Sequence, residues 1–352
     1  MTLDGLKKGL HQIDKIRYRP ALLTKIAWAY FRTLALRKTT LRVCEFSITP
    51  HCQSKCQFCY ASKFQRPDEE MLSLVEMKNI WTQAKRLGAF SSVVFGGEPL
   101  LHPQFFDIIA MLEPKKHLIT TTTNAISLTE DTIIELKRLG VFLINLSLNS
   151  LDAELNDKLR GYPGHYQKVM EAIQLCRKHK MDVFLPVATS KEYLDETISI
   201  VEFAKKEKLG VTINLMCPMG RAESKDLFDE EFWARLRELY NKNPGLRSDF
   251  DVNLDLKIGC PAGFEKIHIA PYGHVTGCSM NPASFGNARS EPLKDIVKRM
   301  REFHHHAKRH PSCIVAVDRE YINDYMLYAS NYESIPYPVE ENPKYQKDKI
   351  LH

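Results

Sequence analysis

The sequence predicts an α/β protein built around a parallel β-sheet, and three features of its pattern support that class. From residue 41 onward, short apolar runs that are typical of strands alternate with amphipathic stretches that are typical of helices. Several amphipathic stretches end near a glycine, as helices commonly do. Repeated strand–helix–strand units indicate parallel strands joined by right-handed crossovers.

The number of strands narrows the architecture. The predicted strands cover residues 41–49, 92–95, 117–122, 142–148, 182–187 and 211–216. The predicted helices between and after them cover residues 74–87, 130–139, 167–178 and 194–206. Six strands within roughly 180 residues are too few for a closed eight-stranded barrel, which usually needs about 250 residues. A partial barrel and an open doubly wound sheet both remain possible at this point.

The chain beyond residue 225 has a different pattern. A helix around residues 230–240 is followed by alternation over residues 266–275 around a Pro-Tyr-Gly turn, which predicts a β-hairpin. The hairpin places Cys260 and Cys278 at one end, and a further helix follows it. We therefore predict a small α+β extension on the main sheet.

Composition excludes several classes of protein. The 352 residues carry a net charge of +6, with 44% apolar and 26% charged residues, which is ordinary for a globular protein. No run reaches the roughly 20 apolar residues that a membrane span needs, and the N-terminus lacks the pattern of a secretory signal. We therefore expect a cytoplasmic protein whose thiols stay reduced.

The positive charge is concentrated in an N-terminal arm. Residues 1–42 contain ten Lys or Arg and two Asp, a net charge of +8, and the remaining residues sum to −2. This distribution argues against nucleic-acid binding by the main domain. Pro20 can open a helix that runs to about Leu36. Basic and aromatic residues such as Trp28 and Phe31 fit peripheral contact with an anionic membrane, and the alternative is a helix that closes the bottom of a partial barrel.

A polar, glycine-bearing or cysteine-bearing segment follows each of the six predicted strands. In chain order these segments contain Pro50 to Cys59, Gly96 to Pro99, Thr123 and Asn124, Asn149 and Ser150, Thr189 and Ser190, and Cys217 to Arg221. Helix capping explains any one of them, but not the whole set. Because the carboxyl ends of parallel strands converge on one face, we expect a ligand site there.

Three cysteines in the first of these segments indicate a metal centre. Cys52, Cys56 and Cys59 have the spacing Cys-x3-Cys-x2-Cys, and such short loops do not favour disulfides. Three thiolates can bind three irons of a [4Fe–4S] cluster and leave the fourth iron open to another ligand. Zinc bound with His51 is the alternative, but His51 directly precedes Cys52, which makes chelation by both side chains awkward.

The cysteine spacing, with Phe58 before the last cysteine and Gly96-Gly97-Glu98-Pro99 after the next strand, resembles the radical S-adenosylmethionine (SAM) superfamily. The resemblance spans residues 41–220 and implies a partial (β/α)6 barrel. It implies that Cys52, Cys56 and Cys59 bind a [4Fe–4S] cluster whose open iron binds SAM. An electron donor such as flavodoxin or ferredoxin would reduce the cluster, and reductive cleavage of SAM would yield a 5′-deoxyadenosyl radical that abstracts hydrogen from an unactivated carbon.

The same resemblance gives roles to other residues after the strands. Gly96 and Gly97 permit close backbone approach to a ligand, and the Glu98 carboxylate can accept from the SAM ammonium. Asn124 and Asn149 offer paired donors and acceptors. Arg160 resembles the basic residue that meets the SAM carboxylate, although a solvent-facing arginine is the alternative. Many relatives have Asp at the position of Asn149, which leaves its role open.

The C-terminal segment resembles the auxiliary-cluster extensions called SPASM and twitch domains. The resemblance implies one auxiliary [4Fe–4S] cluster bound by Cys260, Cys278 and Cys313, because the seven cysteines of a full SPASM domain are not present. Its fourth ligand is Cys217, His310, an exogenous atom or none. Cys217 is alternatively a catalytic hydrogen-atom donor or a small buried thiol.

Two further sets of residues receive structural assignments. We expect Cys44 and Cys176 to lie in the core. The run from His304 to His306 fits a solvated helix face, because neighbours on a helix point apart and cannot chelate together.

The predicted organisation is a basic arm (1–40), a radical SAM core (41–225), an auxiliary-cluster extension (226–320) and a C-terminal tail (321–352). Two classes of function remain, a radical SAM enzyme and a non-catalytic iron–sulfur or zinc-binding protein. For an enzyme, the substrate is either a lipid or a soluble peptide or small metabolite. An arm of forty residues is short for the leader-binding domain of peptide-modifying relatives.

Overall fold

The computed structural model describes residues 18–36, 38–222, 227–243, 246–248, 259–307, 310 and 312–349. The first part of the predicted arm, residues 1–17, lies outside these ranges, as does Arg37. Within them, no helix has both the length and the apolar character needed to cross a membrane.

A nine-stranded sheet forms the centre of the molecule. Its strands are β1 (Val43–Ser47), β2 (Ser91–Phe95), β3 (Leu118–Thr123), β4 (Leu143–Leu146), β5 (Val183–Thr189), β6 (Gly210–Leu215), β7 (Arg247–Ser248), β8 (Lys266–Ile269) and β9 (Val275–Thr276). The spatial order is β7-β6-β5-β4-β3-β2-β1-β8-β9, and neighbours are parallel except for the β8–β9 hairpin. All six predicted strands are present, and the sheet is open, so a partial barrel is confirmed.

The burial pattern of the strands shows that the sheet has two different faces. In β3, Ile119, Thr121 and Thr123 are buried, whereas the alternating Thr120 and Thr122 are half-buried. The strands β2, β5 and β6 alternate in the same way. Because strand side chains point to opposite faces in turn, one face packs under helices and the other lines a cavity.

Eleven α-helices accompany the strands in the described ranges. They are α1 (Pro20–Leu34), α2 (Leu74–Leu87), α3 (Phe105–Met111), α4 (Glu130–Leu139), α5 (Ala153–Arg160), α6 (His165–Lys178), α7 (Leu194–Glu207), α8 (Glu230–Lys242), α9 (Leu293–Arg301), α10 (Ile314–Val317) and α11 (Arg319–Tyr321). Helix α2 illustrates why the termini fall where they do: Ser73 and Glu76 form a capping box, and Gly88 ends the helix with φ +111°. Cys44 and Cys176 are fully buried, as predicted.

Helix α1 lies at the amino-terminal ends of the strands. Its buried Leu22 and Ala29 pack with Phe90, and the cluster also includes Leu118 and Phe142. These three partners directly precede or begin β2, β3 and β4. The described part of the arm therefore closes the bottom of the partial barrel.

The C-terminal extension is joined to the sheet. Strand β8 pairs with β1, and the predicted hairpin is confirmed in β8 and β9. Beside this junction, Arg42 and Glu265 form a buried ion pair. A second small sheet pairs β10 (Ala283–Ser284) with β11 (Tyr337–Pro338), so the chain after residue 320 packs back onto the extension.

The histidine run differs from the prediction. Residues His304–His306 form a short 3-10 helix in which His305 and His306 are buried and only His304 is exposed. His306 lies 5.4 Å from the ring of Phe303 and 6.2 Å from that of Tyr321, measured between ring centroids. The solvated face is wrong for two of the three residues, because the aromatic side chains around them provide a core.

Candidate active site

The cysteine loop leaves β1 at the carboxyl-terminal edge of the sheet. Cys52 is exposed, Cys59 is half-buried and Cys56 is buried. Backbone bonds from three other elements hold the loop: Glu98 N donates to His51 O (2.7 Å), Gln57 N to Leu159 O (3.0 Å) and Arg221 N to Cys59 O (3.1 Å). The loop is therefore fixed by the segments that follow β2, α5 and β6.

Four glycines make this close approach possible. A Cβ atom at Gly96 would lie 2.4 Å from Thr49 O, and one at Gly97 would lie 2.2 Å from His51 O. A Cβ at Gly161 would lie 2.4 Å from Lys55 O, and one at Gly220 would lie 2.2 Å from Cys59 O. The last two glycines are missing from the predicted site, although each directly adjoins an arginine of interest, Arg160 or Arg221. We call these four residues the glycine cradle.

Asn124 contacts the cysteine loop directly. Its amide nitrogen donates to Ser54 Oγ and Gln53 Oε1, both at 3.4 Å, and lies 3.7 Å from Cys52 Sγ. Its oxygen accepts from Ile126 N at 3.0 Å. Asn124 thus ties the end of β3 to the loop that carries the first cysteine.

Glu98 is anchored by hydrogen bonds at the ends of β2 and β3. The side chain is fully buried, and its carboxylate accepts hydrogen bonds from Thr123 Oγ1 (2.7 Å), Asn124 N (2.7 Å) and Leu100 N (3.2 Å). Burial raises the pKa of this carboxyl. These three bonds fix the carboxylate between the segments that follow β2 and β3, and its prediction as a SAM-binding group stays a prediction.

Arg160, Asn149 and Phe58 come together beside the cysteine loop. Arg160 Nη1 donates to Asn149 Oδ1 at 3.2 Å, and the guanidinium carbon lies 5.8 Å from the centroid of the Phe58 ring. Asn149 Nδ2 donates to Ala188 O at 3.2 Å. The half-buried guanidinium therefore stands near the cysteine loop with its orientation set by an amide and a ring.

Arg221 is a further cation at this site that the sequence prediction leaves out. Its Nη1 donates to Cys56 O at 3.1 Å, and its charge lowers the pKa of Cys59. Burial has the larger effect and raises the pKa of the Cys59 thiol to about 11. A thiolate at this position therefore needs nearby positive charge, which metal ions supply.

A cavity of about 470 Å³ opens beside the cysteine loop. Its walls include all three loop cysteines, Cys217, and the inward-facing side chains of β2 to β6. Many of the latter are uncharged polar groups, among them Thr120, Thr122, Asn145, Thr212 and Asn214. On the opposite side, Lys266 Nζ lies 3.3 Å from Glu45 Oε1. The cavity is thus a partly polar chamber that reaches from the cysteine loop into the barrel.

The auxiliary cysteines lie in the extension, next to this cavity. Cys260, Cys278 and Cys313 are all buried, and burial, then neighbouring Cys260, raises the pKa of Cys278. Ser279 and Met280, which follow Cys278, line the cavity. The Tyr60 side chain, directly after Cys59, hydrogen-bonds to Ser279. The extension therefore reaches the chamber through the residues that follow Cys278.

The structure also bears on the fourth ligand of the auxiliary site. His310 Nε2 lies 2.8 Å from Asp318 Oδ2, and His310 Nδ1 lies 3.0 Å from Ser312 O. Both ring nitrogens already have partners, which disfavours His310. Cys217 lines the cavity beside the loop cysteines.

The cysteine loop fits a cluster better than a single ion. Within the described ranges, no three His, Cys, Asp or Glu side chains converge on one point that could hold a metal ion. Three thiols that each bind a different iron do not need to converge in this way. The glycine cradle leaves the loop backbone closely supported while the thiols border the cavity.

Comparisons with known protein families agree with this geometry. The model of the radical SAM superfamily matches residues 46–204, and that of the SPASM iron–sulfur cluster-binding domain matches residues 260–315. The chain contains a radical SAM domain followed by a SPASM domain. The first domain implies a [4Fe–4S] cluster and SAM, and the second implies auxiliary iron–sulfur clusters in the extension.

Individual relatives are distant and differ in activity. An AdoMet-dependent heme synthase of Methanosarcina barkeri is 21% identical, over 72% of this chain and 81% of its own length. A GTP 3′,8-cyclase of Rhizobium leguminosarum is 27% identical, over 70% of each protein. The crystal structure of Streptococcus suis SuiB bound to its precursor peptide SuiA superposes with a TM-score of 0.59 and 20% identity. That match covers 74% of this chain and 65% of SuiB, and it supports the fold alone.

Proposed function

We propose that this protein is an enzyme that uses a reduced [4Fe–4S] cluster and SAM to abstract hydrogen from a carbon of a polar, water-soluble substrate. The observation that carries the proposal is the placement of three loop cysteines and Arg160 on the wall of one cavity inside the barrel. When bound and reduced, the cluster and SAM supply the 5′-deoxyadenosyl radical. The protein supplies binding, orientation and shielding from water.

The residues around the loop have distinct roles in this proposal. Cys52, Cys56 and Cys59 hold the cluster, and the glycine cradle supports the backbone of the loop that carries them. Arg160, oriented by Asn149 and Phe58, is placed to pair with the SAM carboxylate. Asn124 and Glu98 hold the end of β3 against the loop. An external donor such as flavodoxin or ferredoxin delivers the electron.

Cys217 is the proposed catalytic thiol. It follows β6 and lies on the cavity wall with the loop cysteines. A thiol in that place can donate a hydrogen atom to a substrate radical. Cys260, Cys278 and Cys313 would hold the auxiliary cluster, and Ser279 and Met280, which follow Cys278, line the chamber.

The cavity lining favours a soluble peptide segment or a small metabolite over a lipid chain. Its volume is suitable for a small molecule. If a hydrocarbon chain filled the chamber, the polar groups on its walls would lose their hydrogen bonds to water and gain none in return. These groups are the threonine and asparagine side chains and the Glu45–Lys266 pair. A substrate with its own donors and acceptors avoids that cost.

The test is anaerobic incubation of iron-reconstituted protein with SAM and a strong reductant, followed by chromatography for 5′-deoxyadenosine. Wild-type protein should form it, and Cys56→Ala should not, because two thiolates do not hold the cluster in place. Cys176→Ala, which removes a buried thiol remote from the loop, is the matched control and should remain active. Zinc in place of iron, with no 5′-deoxyadenosine, would leave only the non-catalytic alternative.

A further inference from the structure

Half of the large apolar side chains that are exposed in the described part of the chain lie on or beside α1. Of eight such residues, Trp28 is 57% exposed and Phe31 is 49% exposed, and Tyr18 and Leu36 flank the helix. The rings of Trp28 and Phe31 stack with their centroids 5.6 Å apart. We call the stacked pair Trp28 and Phe31, with the exposed Tyr18 and Leu36 at the two ends of the helix, the α1 patch.

Helix α1 already has a buried side that packs on the body, and the patch lies on its other side. The opposite side of the helix is buried on Phe90, and Arg19 donates to Pro114 O (3.0 Å) and Gly140 O (3.1 Å). Lys25 Nζ lies 2.7 Å from His117 Nε2. The helix is thus fixed on the body, and the patch points outward.

The sequence around the patch is positively charged, which favours a negatively charged partner. Between Asp14 and Glu45 the sequence has eight Lys or Arg and no acidic residue, and of these Arg42 is buried in its ion pair with Glu265 and adds no surface charge. Lys38 is exposed and Arg32 is half-buried on the described part of this segment. Stacked aromatic rings beside cations are the combination that binds the interface of an anionic bilayer, where rings sit at headgroup level and cations meet the lipid phosphates.

We propose that α1 docks the protein on an anionic membrane surface, with Trp28 and Phe31 inserted at the level of the headgroups. Docking on this helix places the amino-terminal ends of the strands toward the lipid. The cysteine loop lies at the carboxyl-terminal ends and faces away from the membrane. Membrane docking therefore does not require a lipid substrate, and it is independent of the proposed reaction.

The test is co-sedimentation with vesicles of phosphatidylcholine and phosphatidylglycerol in equal parts, compared with phosphatidylcholine alone. Wild-type protein should bind the anionic vesicles at low salt and dissociate at high salt, since Lys and Arg contribute through screened charge. Trp28→Ser/Phe31→Ser should lower the vesicle partition coefficient about tenfold or more. Arg32→Gln/Lys38→Gln should lower it about fivefold per charge.

Ile134→Ser is the matched control, because Ile134 is 46% exposed on α4, away from the patch. It should bind vesicles like wild type. Equal binding by the patch variant and this control would overturn the proposal, as would absence of wild-type binding at low salt. Sedimentation velocity without vesicles completes the test: a dimer that Trp28→Ser/Phe31→Ser converts to monomer would assign the patch to a second copy of the chain instead.

Discussion

At the scale of single residues, the site depends on four glycines at which there is no room for a side chain. The glycine cradle brings the backbone of three different segments against the cysteine loop at distances that no Cβ atom tolerates. Glycine is usually considered for its φ freedom, yet Gly96 and Gly97 have no positive φ and are needed for space alone. Gly220 combines both requirements, with φ +67° and the Cys59 carbonyl 2.2 Å from a would-be Cβ.

Gly220→Ala should therefore lose most of the iron bound at the loop. Gly164 supplies a matched control, because it has a similar φ of +79° but nothing lies within 4 Å of its would-be Cβ. Both substitutions carry backbone strain of roughly 1–2 kcal/mol, and only Gly220→Ala also displaces Cys59. Iron per chain and 5′-deoxyadenosine yield after reconstitution provide the measurement. Equal iron in the two variants would show that the contact with Cys59 is unimportant.

At the scale of elements, hydrophobic periodicity predicts the long helices and strands. It misses elements of a few residues and pairings between segments that are far apart in the sequence. The bounds of α2 and α4 match the prediction, because each has a clear apolar stripe and a glycine after its last residue. Helices α3 and α5 have only seven and eight residues, too few to establish a period. Strand β7 has two residues, and the pairing of β8 with β1 joins segments more than 200 residues apart, which no local pattern encodes.

The attachment of α1 should depend on pH through His117. Burial, and then the charge of Lys25, lowers the pKa of His117 from 6.5 to about 4. Because the folded state favours the neutral ring, its stabilising effect is complete above pH 6.5 and is lost as the pH falls toward about 4. His117→Gln cannot take up this proton. Across that range, the protection of α1 amides from hydrogen exchange, relative to their intrinsic exchange rates, should fall more steeply with acid in wild type than in the variant.

Helix α7 packs on β5 and β6. Its amides serve as the internal reference for the intrinsic pH dependence of exchange. They should respond alike in both proteins. Indistinguishable α1 profiles would mean that His117 does not couple protonation to helix attachment.

At the scale of the whole molecule, the extension is continuous with the barrel. Strand β8 extends the sheet, Arg42 pairs with Glu265 in the interior, and Tyr60 meets Ser279 across the chamber. This arrangement explains which site residues the sequence could predict. Residues in the loops after β1 to β6 were accessible from pattern and resemblance. The contributions of Lys266, Ser279 and Met280 to the cavity depend on tertiary packing of a distant segment.

The arrangement also makes a prediction about metal content. Two [4Fe–4S] clusters correspond to about eight irons per chain, and replacing Cys260, Cys278 and Cys313 together with alanine should lower that to about four. The loop cysteines remain in this variant, so 5′-deoxyadenosine formation should persist at a reduced level. Iron determination on anaerobically reconstituted protein makes the measurement, with Cys176→Ala as a control that should keep the wild-type value.

Because β8 of the extension pairs with β1, unfolding of the extension in the triple variant would also disturb β1 and the cysteine loop that follows it. Circular dichroism distinguishes the two cases. A triple variant that keeps its secondary structure and SAM cleavage but has half the iron assigns the lost cluster to the extension. Unchanged iron in a folded triple variant would mean that these buried thiols bind no cluster, and that they instead only fill the core between β8 and the packed C-terminal segment.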